Sequence, residues 1–331
     1  MQTVSKRSFI KFLVVACLFM ALPGFAMGNS FTKKRVGIIG LDTSHSLAFT
    51  KLLNATNANP SLLGYQVVAA YPYGSEDLEL SKQRIPIQIE EIQKYGVKIV
   101  GSIAQLLQEV DVVLLETNDG RLHKTQALEV IKAKKPLFID KPLAASYKDG
   151  ADILAEARKL GVPVFSASSL RFVDMVKQIR SKKYGKVLGA DTFSPATIEP
   201  SHPDLFWYGI HGVEMLFAVM GPDCVSVTRF YTDETDVVVG KWKDGRIGTF
   251  RGTRNGKADF GGVCFTEEGN KLLGPYLGYE PLLLEIVQFF ETGVSPVDDR
   301  ETLAILAFME AADKSRKKGG KEISMTVLTA N

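Results

Sequence analysis

Residues 37–46 read GIIGLDTSHS. An apolar strand pattern over 36–39 ends on Gly40 and leads, within a few residues, into a helical pattern beginning near Ser44. A turn built for a dinucleotide at this place reads G-x-G-x-x-G. Counted from Gly40, the second glycine slot holds Asp42 and the third holds His45. The second glycine of such a turn lets backbone approach a pyrophosphate, and the third permits close packing of helix on strand. A carboxylate at the second slot opposes an anion there: two charges about 4 Å apart repel by roughly 4 kcal/mol at an effective dielectric of 20. Asp42 must turn away for a phosphate to bind. Asp42, Thr43 and Ser44 are all good N-cap residues, and any of them serves as the cap in this reading.

Working outward, short apolar runs and helical patterns alternate through the first half of the chain. Strands are expected at 36–39, 66–70, 98–100, 112–115 and 137–139, with helices near 44–54, 89–95, 103–109 and 122–133. Continuous apolar strands separated by helices imply a parallel sheet covered on both faces. Beyond about Leu143 come helices near 147–160 and 172–182 around a short strand at 164–166. Closely spaced strand patterns then follow at 187–193, 225–231, 236–241, 247–251 and 262–266. Asp244-Gly245 marks a hairpin turn, so the second sheet is expected to be mostly antiparallel. A closing helix is expected over 300–317, with Asp298 and Glu301 as a capping box and Gly319-Gly320 past its end. The fold class is α/β: a Rossmann-type doubly wound parallel sheet over 33–145, then an α+β domain with a mostly antiparallel open sheet over 146–331.

The formal charge of +3 has a local origin. Lys6, Arg7 and Lys11 precede the uncharged apolar run 12–22, Pro23-Gly24 and the small-residue pattern Ala26-Met27-Gly28. This is the pattern of a cleaved export signal over 1–28. The apolar run is shorter than the roughly 20 residues of a spanning helix, so no membrane span is expected in the mature chain. Residues 5–11 are similar to a twin-arginine signal with Lys for the first Arg, and Cys17 offers a lower-ranked lipoprotein cleavage site. The periplasm or exterior is the expected location. The remaining 37 basic residues balance 37 acidic ones, which is no footprint for nucleic acid. Cys224 and Cys264 have no metal-ligand spacing and are expected as buried free thiols, with one disulfide as the alternative.

Three further segments carry chemistry. Residues 135–144 read KPLFIDKPLA, a strand followed by Asp140-Lys141-Pro142. Residues 112–127 read VVLLETNDGRLHKTQA, a strand followed by Thr117-Asn118, with His123 at a helix start. Residues 206–221 read FWYGIHGVEMLFAVMG, a helix carrying His211. Together they resemble the glucose–fructose oxidoreductase/inositol dehydrogenase/MocA (Gfo/Idh/MocA) family of NAD(P)-dependent oxidoreductases, over nearly the whole chain past the signal.

The resemblance places the family's Glu-Lys-Pro on Asp140, Lys141 and Pro142, and its catalytic histidine on His211. The aspartate usual four residues before that histidine falls on Trp207, while Glu214 stands where a second acid is frequent. The implied roles are Lys141 at the reacting oxygen and His211 as acid/base. Gly40, Leu41, Asp42, Thr43, Ser44, His45, Thr117, Asn118, His123, Asp140 and Lys141 would line the cofactor, and Arg171, His202, Trp207 and Tyr208 the substrate. This division of labour is chemically sound: histidine titrates near neutrality, and a lysine stabilises charge on a carbinol oxygen. The implied cofactor is NAD or NADP, tightly retained outside the cytosol, and the implied substrate a small carbohydrate. A homodimer or homotetramer is implied through the open sheet.

Two other classes stay open. One is an NAD-dependent glycosidase on the same fold; the other is a non-catalytic carbohydrate-binding or scaffold protein, which Asp42, Trp207 and the lack of an acid at the end of the second strand favour. His202, Asp204, His211 and Glu214 lie close in sequence but match no standard metal spacing, so no metal is expected.

Overall fold

The computed structural model describes residues 34–257 and 259–325; the expected export signal lies outside them. The chain begins with β1 (Lys34–Ile39), α1 (Ser44–Leu53), β2 (Tyr65–Tyr71), α2 (Glu79–Gln93), β3 (Lys98–Ile99), α3 (Ile103–Glu109), β4 (Val112–Leu115), α4 (Gly120–Lys132), β5 (Leu137–Ile139), α5 (Tyr147–Leu160) and β6 (Val164–Ser166). The six strands pair in parallel in the order β3-β2-β1-β4-β5-β6. This is a doubly wound sheet whose order reverses between β1 and β4, the place where such sheets open a crevice at their carboxyl ends. All four residues of β4 and all three of β5 are buried, which explains their uninterrupted apolar sequence.

A second sheet follows. After α6 (Asp174–Arg180) come β7 (Val187–Pro195), α7 (Asp204–Trp207), α8 (Ile210–Met220), β8 (Cys224–Tyr231), β9 (Thr235–Trp242), β10 (Ile247–Thr253), β11 (Gly261–Thr266) and β12 (Gly269–Leu273). The chain then runs through α9 (Glu280–Thr292), α10 (Asp299–Lys317) and β13 (Ile323–Ser324). Seven strands order as β12-β11-β7-β10-β9-β8-β13, antiparallel except where β7 pairs with β10. The hairpin between β9 and β10 turns at Gly245, φ +87°. α8 is buried along its whole length, packed on β7 and β10 of this sheet and against α6 and α10. Cys224 and Cys264 are buried free thiols.

Four details depart from the sequence reading. β6 pairs with β5, so the parallel sheet runs past the expected boundary at 145/146. α2 starts ten residues earlier than expected, at Glu79, and carries Pro86 inside it; its apolar positions are too few to mark it. The helix expected across 206–221 breaks at Tyr208-Gly209 into α7 and α8. Asp298 caps α10 by accepting from the Arg300 amide, but Glu301 turns inward to Arg171 and closes no capping box.

α9 returns from the end of the chain to the first sheet. Its Leu282, Leu283, Ile286 and Phe289 share a core with Phe49, Phe138 and Phe165. Aromatic edges link them in series: Phe49 to Phe138 at 6.5 Å between ring centres, Phe138 to Phe165 at 5.0 Å, and Phe165 to Phe289 at 4.7 Å. The segment before α9 thereby arrives over the start of α1.

Candidate active site

The turn after β1 explains its own sequence. Gly40 has φ +89°, and a Cβ there would lie 2.4 Å from the Thr117 amide nitrogen, so β1 and the β4–α4 loop meet only across a glycine. Leu41 is buried beneath. Asp42 is fully buried, and its carboxylate accepts from Ser81 Oγ at 2.8 Å and from the Asn118 amide at 2.9 Å. Its carbonyl accepts from Arg84 at 3.2 Å. Burial raises its pKa against those hydrogen bonds.

Asp42 therefore turns away from α1, but as a brace between α2 and the β4–α4 loop and not as a helix cap. The cap position is Thr43, whose side chain makes no capping bond. The leading amides of α1 are left without a side-chain acceptor, and Thr43, Ser44 and His45 line a cleft. Such a terminus suits an anion. Asp42→Ala is expected to cost about 1–3 kcal/mol by stranding the Asn118 amide, read as a lower thermal or denaturant midpoint. An unchanged midpoint would remove Asp42 from the brace.

The loops on either side close over this turn. Ser75 Oγ, after β2, donates to Asp119, after β4. Arg121 holds Asp77 at 2.9 Å and Asp119 at 2.7 Å. Because β1 lies between β2 and β4, these bonds pass over the end of β1. Burial opposes a charged Asp119, but hydrogen bonds from His202, Arg121 and Ser75 outweigh it and hold the carboxyl well below its ordinary pKa. No acid ends β2, which runs Tyr71-Pro72-Tyr73.

Beside the turn, β4 and β5 end on Glu116 and Asp140. His45 Nδ1 lies 2.9 Å from Asp140 Oδ1 and 3.7 Å from Glu116 Oε2, and Lys141 Nζ lies 3.3 Å from Asp140 Oδ2. Burial and the neighbouring Asp140 push Glu116 well above the usual carboxylate range. Burial acts the same way on Asp140, but His45 and Lys141 overcome it and keep that acid ionised.

His45 and Lys141 line a cavity of ≈ 220 Å³ with Ser44, Asn118, Trp207, Tyr208 and His211. Tyr276 and Tyr279 form its wall from the segment before α9; Tyr279 Oη bonds Ser44 Oγ at 2.9 Å and its ring stands edge-on to His45. His211 enters from α8, with Nδ1 2.8 Å from Ser168 Oγ and Tyr208 and Phe260 set against its ring. Burial, and then the charges of Lys141 and His45, press its pKa well below the ordinary histidine value. It stands neutral at neutral pH.

Several expected site residues lie elsewhere. Arg171 is buried and pairs with Glu214 at 2.6 Å and with Glu301, so it is a core ion pair and touches no substrate space. His202 Nε2 meets Asp119 Oδ1 at 2.8 Å, and its ring packs on Trp207, outside the cleft. His123 is fully buried, with its nitrogens 3.0 Å from the Pro142 carbonyl and 2.7 Å from that of Thr117. It staples two loops and presents nothing to the cavity. Gly40, Leu41, Asp42, Thr117 and Asp140 support the cleft from beneath without lining it. Asp204 pairs with Arg229 and Arg316, so the acids and histidines of 202–214 form no metal set. Glu116, Ser168, Phe260, Tyr276 and Tyr279 were absent from the expected site. Glu116 had a local signal, a carboxylate closing a buried run; the tyrosines follow an edge strand and had none.

Residues 34–168 match the family model described as "Oxidoreductase family, NAD-binding Rossmann fold", GFO_IDH_MocA. Over these residues the chain matches the Gfo/Idh/MocA family. A 2,7-anhydro-N-acetylneuraminate hydratase of Escherichia coli is 31% identical over 87 residues, covering 25% of this chain and 23% of that protein. An uncharacterized oxidoreductase of Streptococcus pneumoniae is 25% identical over 183 residues, or 52% of this chain and 49% of that protein. The matches thus span about a quarter and about half of these curated relatives. Scyllo-inositol dehydrogenase from Lactobacillus casei, solved with NAD(H) and scyllo-inositol, shares the fold: TM-score 0.71, 13% identity, covering 89% of this chain and 99% of that one.

The Gfo/Idh/MocA cofactor can be tested against these residues. The nicotinamide end fits: Lys141 and Asn118 line the cleft, and the start of α1 offers amides for a phosphate. The other half of the crevice is spanned by the Ser75–Asp119 and Asp77–Arg121 bonds, and a whole dinucleotide in the usual pose requires these to part.

Proposed function

We propose that this protein is an exported NAD(P)-dependent oxidoreductase acting on a sugar, polyol or related carbohydrate. One observation carries the reading: Lys141, after β5, and His211, on α8, line a single cleft with Trp207 and Tyr208. Aromatic faces beside polar groups suit a sugar ring. NAD(P), when bound, supplies the hydride acceptor or donor. The chain's own residues do the rest. With Nδ1–H donating to Ser168, neutral His211 keeps its Nε2 lone pair for the hydroxyl proton. Lys141 stabilises charge on the carbinol oxygen. Burial of the cleft beneath Tyr276 and Tyr279 excludes water and strengthens both effects.

The export signal read in residues 1–28 supports a periplasmic or external location for this chemistry, and tight cofactor retention suits a compartment without a nicotinamide pool. Exposed Phe193 and Ile247 on the outer sheet support a homo-oligomer. Native mass spectrometry of protein from its own cells, with no cofactor added, tests these points together. The expected spectrum shows a chain starting near Asn29, assembled as an oligomer, with one dinucleotide per subunit. The 2′-phosphate separates NADP from NAD.

A second reading, a carbohydrate-binding protein without redox activity, is favoured by the bonds closed over β1. It expects no dinucleotide in that spectrum and sugar binding in the cleft. Release of free sugar without net cofactor reduction would instead point to a glycosidase.

A further inference from the structure

Glu116 poses a problem that the redox reading leaves unsolved. It is fully buried, and neither Oε1 nor Oε2 has a hydrogen-bond partner among the described residues. Asp140 Oδ2 is likewise without a hydrogen bond. Both Glu116 oxygens are thus buried without a hydrogen bond, as is an Asp140 oxygen whose near neighbour is the Lys141 ammonium at 3.3 Å. A buried charge in that condition is strongly unfavourable unless paired or bound to a metal. A proton on Glu116 would remove its charge but still leave both oxygens without a partner.

We propose that His45, Glu116 and Asp140 hold a first-row divalent cation, Zn²⁺ or Mn²⁺, at the floor of the cleft. Their donor atoms all lie within 4.8 Å of one another. Metal–ligand bonds of about 2.1 Å in a tetrahedron set donor atoms roughly 3.4 Å apart. The 2.9 Å and 3.7 Å separations from His45 Nδ1 to the two carboxylates bracket that spacing. One imidazole and two carboxylates form a donor set these ions accept. Three protein ligands leave a position for water or an oxygen from the cleft, the arrangement of a reactive site and not of a sealed structural one.

Two features oppose a cation. The start of α1 carries partial positive charge, and Lys141 stands 3.3 Å from Asp140 Oδ2. Two carboxylates at bonding distance outweigh a partial charge, and Lys141 also lines the cavity, into which its flexible stem can swing. The residue types fit this assignment. Where a dinucleotide turn has its third glycine, this chain has the histidine that reaches across to β4 and β5.

The full chain, treated with EDTA and dialysed, is titrated with ZnCl₂ and separately with MnCl₂ by calorimetry, with thermal melts alongside. One ion per chain is expected, with a rise in the melting midpoint. His45→Ala and Glu116→Gln should each weaken binding by more than the roughly 10–100-fold that outer-shell partners are worth. Glu116→Gln keeps the shape and removes a buried charge, so its metal-free melt should equal or exceed that of the parent; this separates lost binding from lost folding. Uptake of neither ion by the parent, or undiminished uptake by Glu116→Gln, overturns the proposal. Neither measurement needs dinucleotide or turnover, so its outcome is independent of the oxidoreductase reading.

Discussion

His211→Ala lowers kcat by about 10²–10⁴, the usual value of a positioned acid/base, and leaves retained dinucleotide unchanged. The expectation rests on His211 standing across the cleft from Lys141, with Ser168 fixing one ring nitrogen. The pH dependence has a definite sign. Lys141, His45 and Asp140 are the titratable groups that bear on the ring, and burial, followed by Lys141 and His45, favours the neutral base. The acidic limb of kcat/KM should therefore lie below the ordinary histidine value of about 6.5 and disappear in the variant. Ser168→Ala should reduce kcat less while shifting that limb, because it removes the group that orients the ring. Turnover on a panel of sugars and polyols, with bound cofactor measured separately, reads both effects. Unchanged turnover in His211→Ala would take this residue out of the chemistry.

The largest stability effect belongs to a residue outside the cleft. Arg171 lies between Glu214 of α8 and Glu301 of α10, all three buried. Arg171→Ala leaves Glu214 without its ion-pair partner in the core and Glu301 with only Arg180 at 3.6 Å, where breaking such a buried pair costs about 3–5 kcal/mol. A chemical denaturation midpoint measures it, and a shift confined to the size of an exposed salt bridge would show that water reaches the site. Arg171→Met combined with Glu214→Gln and Glu301→Gln should recover part of the loss, since removing these three charges also removes the desolvation they suffer, with Arg180, 36% exposed, left to water.

The parallel sheet was legible because burial on both faces writes strands as unbroken apolar runs, as 112–115 and 137–139 do. Lys141 and His211 were legible as motif positions. Both line one cavity, as a strand end of the first domain and a helix of the second facing each other across a cleft would have them. Arg171, His202 and His123 illustrate the limit. Each is a residue type that active sites use, yet each is committed to a buried partner distant in sequence: Glu301, Asp119 and the Pro142 carbonyl. No local pattern marks such pairings. For Asp42 the sequence set only the condition that it turn away for a phosphate to bind; its partners, Ser81 and the Asn118 amide, lie on elements that only the folded sheet brings together.

The return of α9 onto the first sheet sets the unit in which this protein can be cut, swapped or inherited. Residues 34–168 match a family domain, but its hydrophobic face is completed by Leu282, Leu283, Ile286 and Phe289, more than a hundred residues later. A fragment ending at 168 would leave Phe138 and Phe165 bare on one side, an aggregating surface rather than a domain. Exchanging nucleotide-binding halves between relatives would have to carry 280–292 as well, together with Tyr279, which touches Ser44 and His45. The first sheet therefore has a core that only the far end of the chain completes, and the cleft is walled by that same returning segment through Tyr276 and Tyr279.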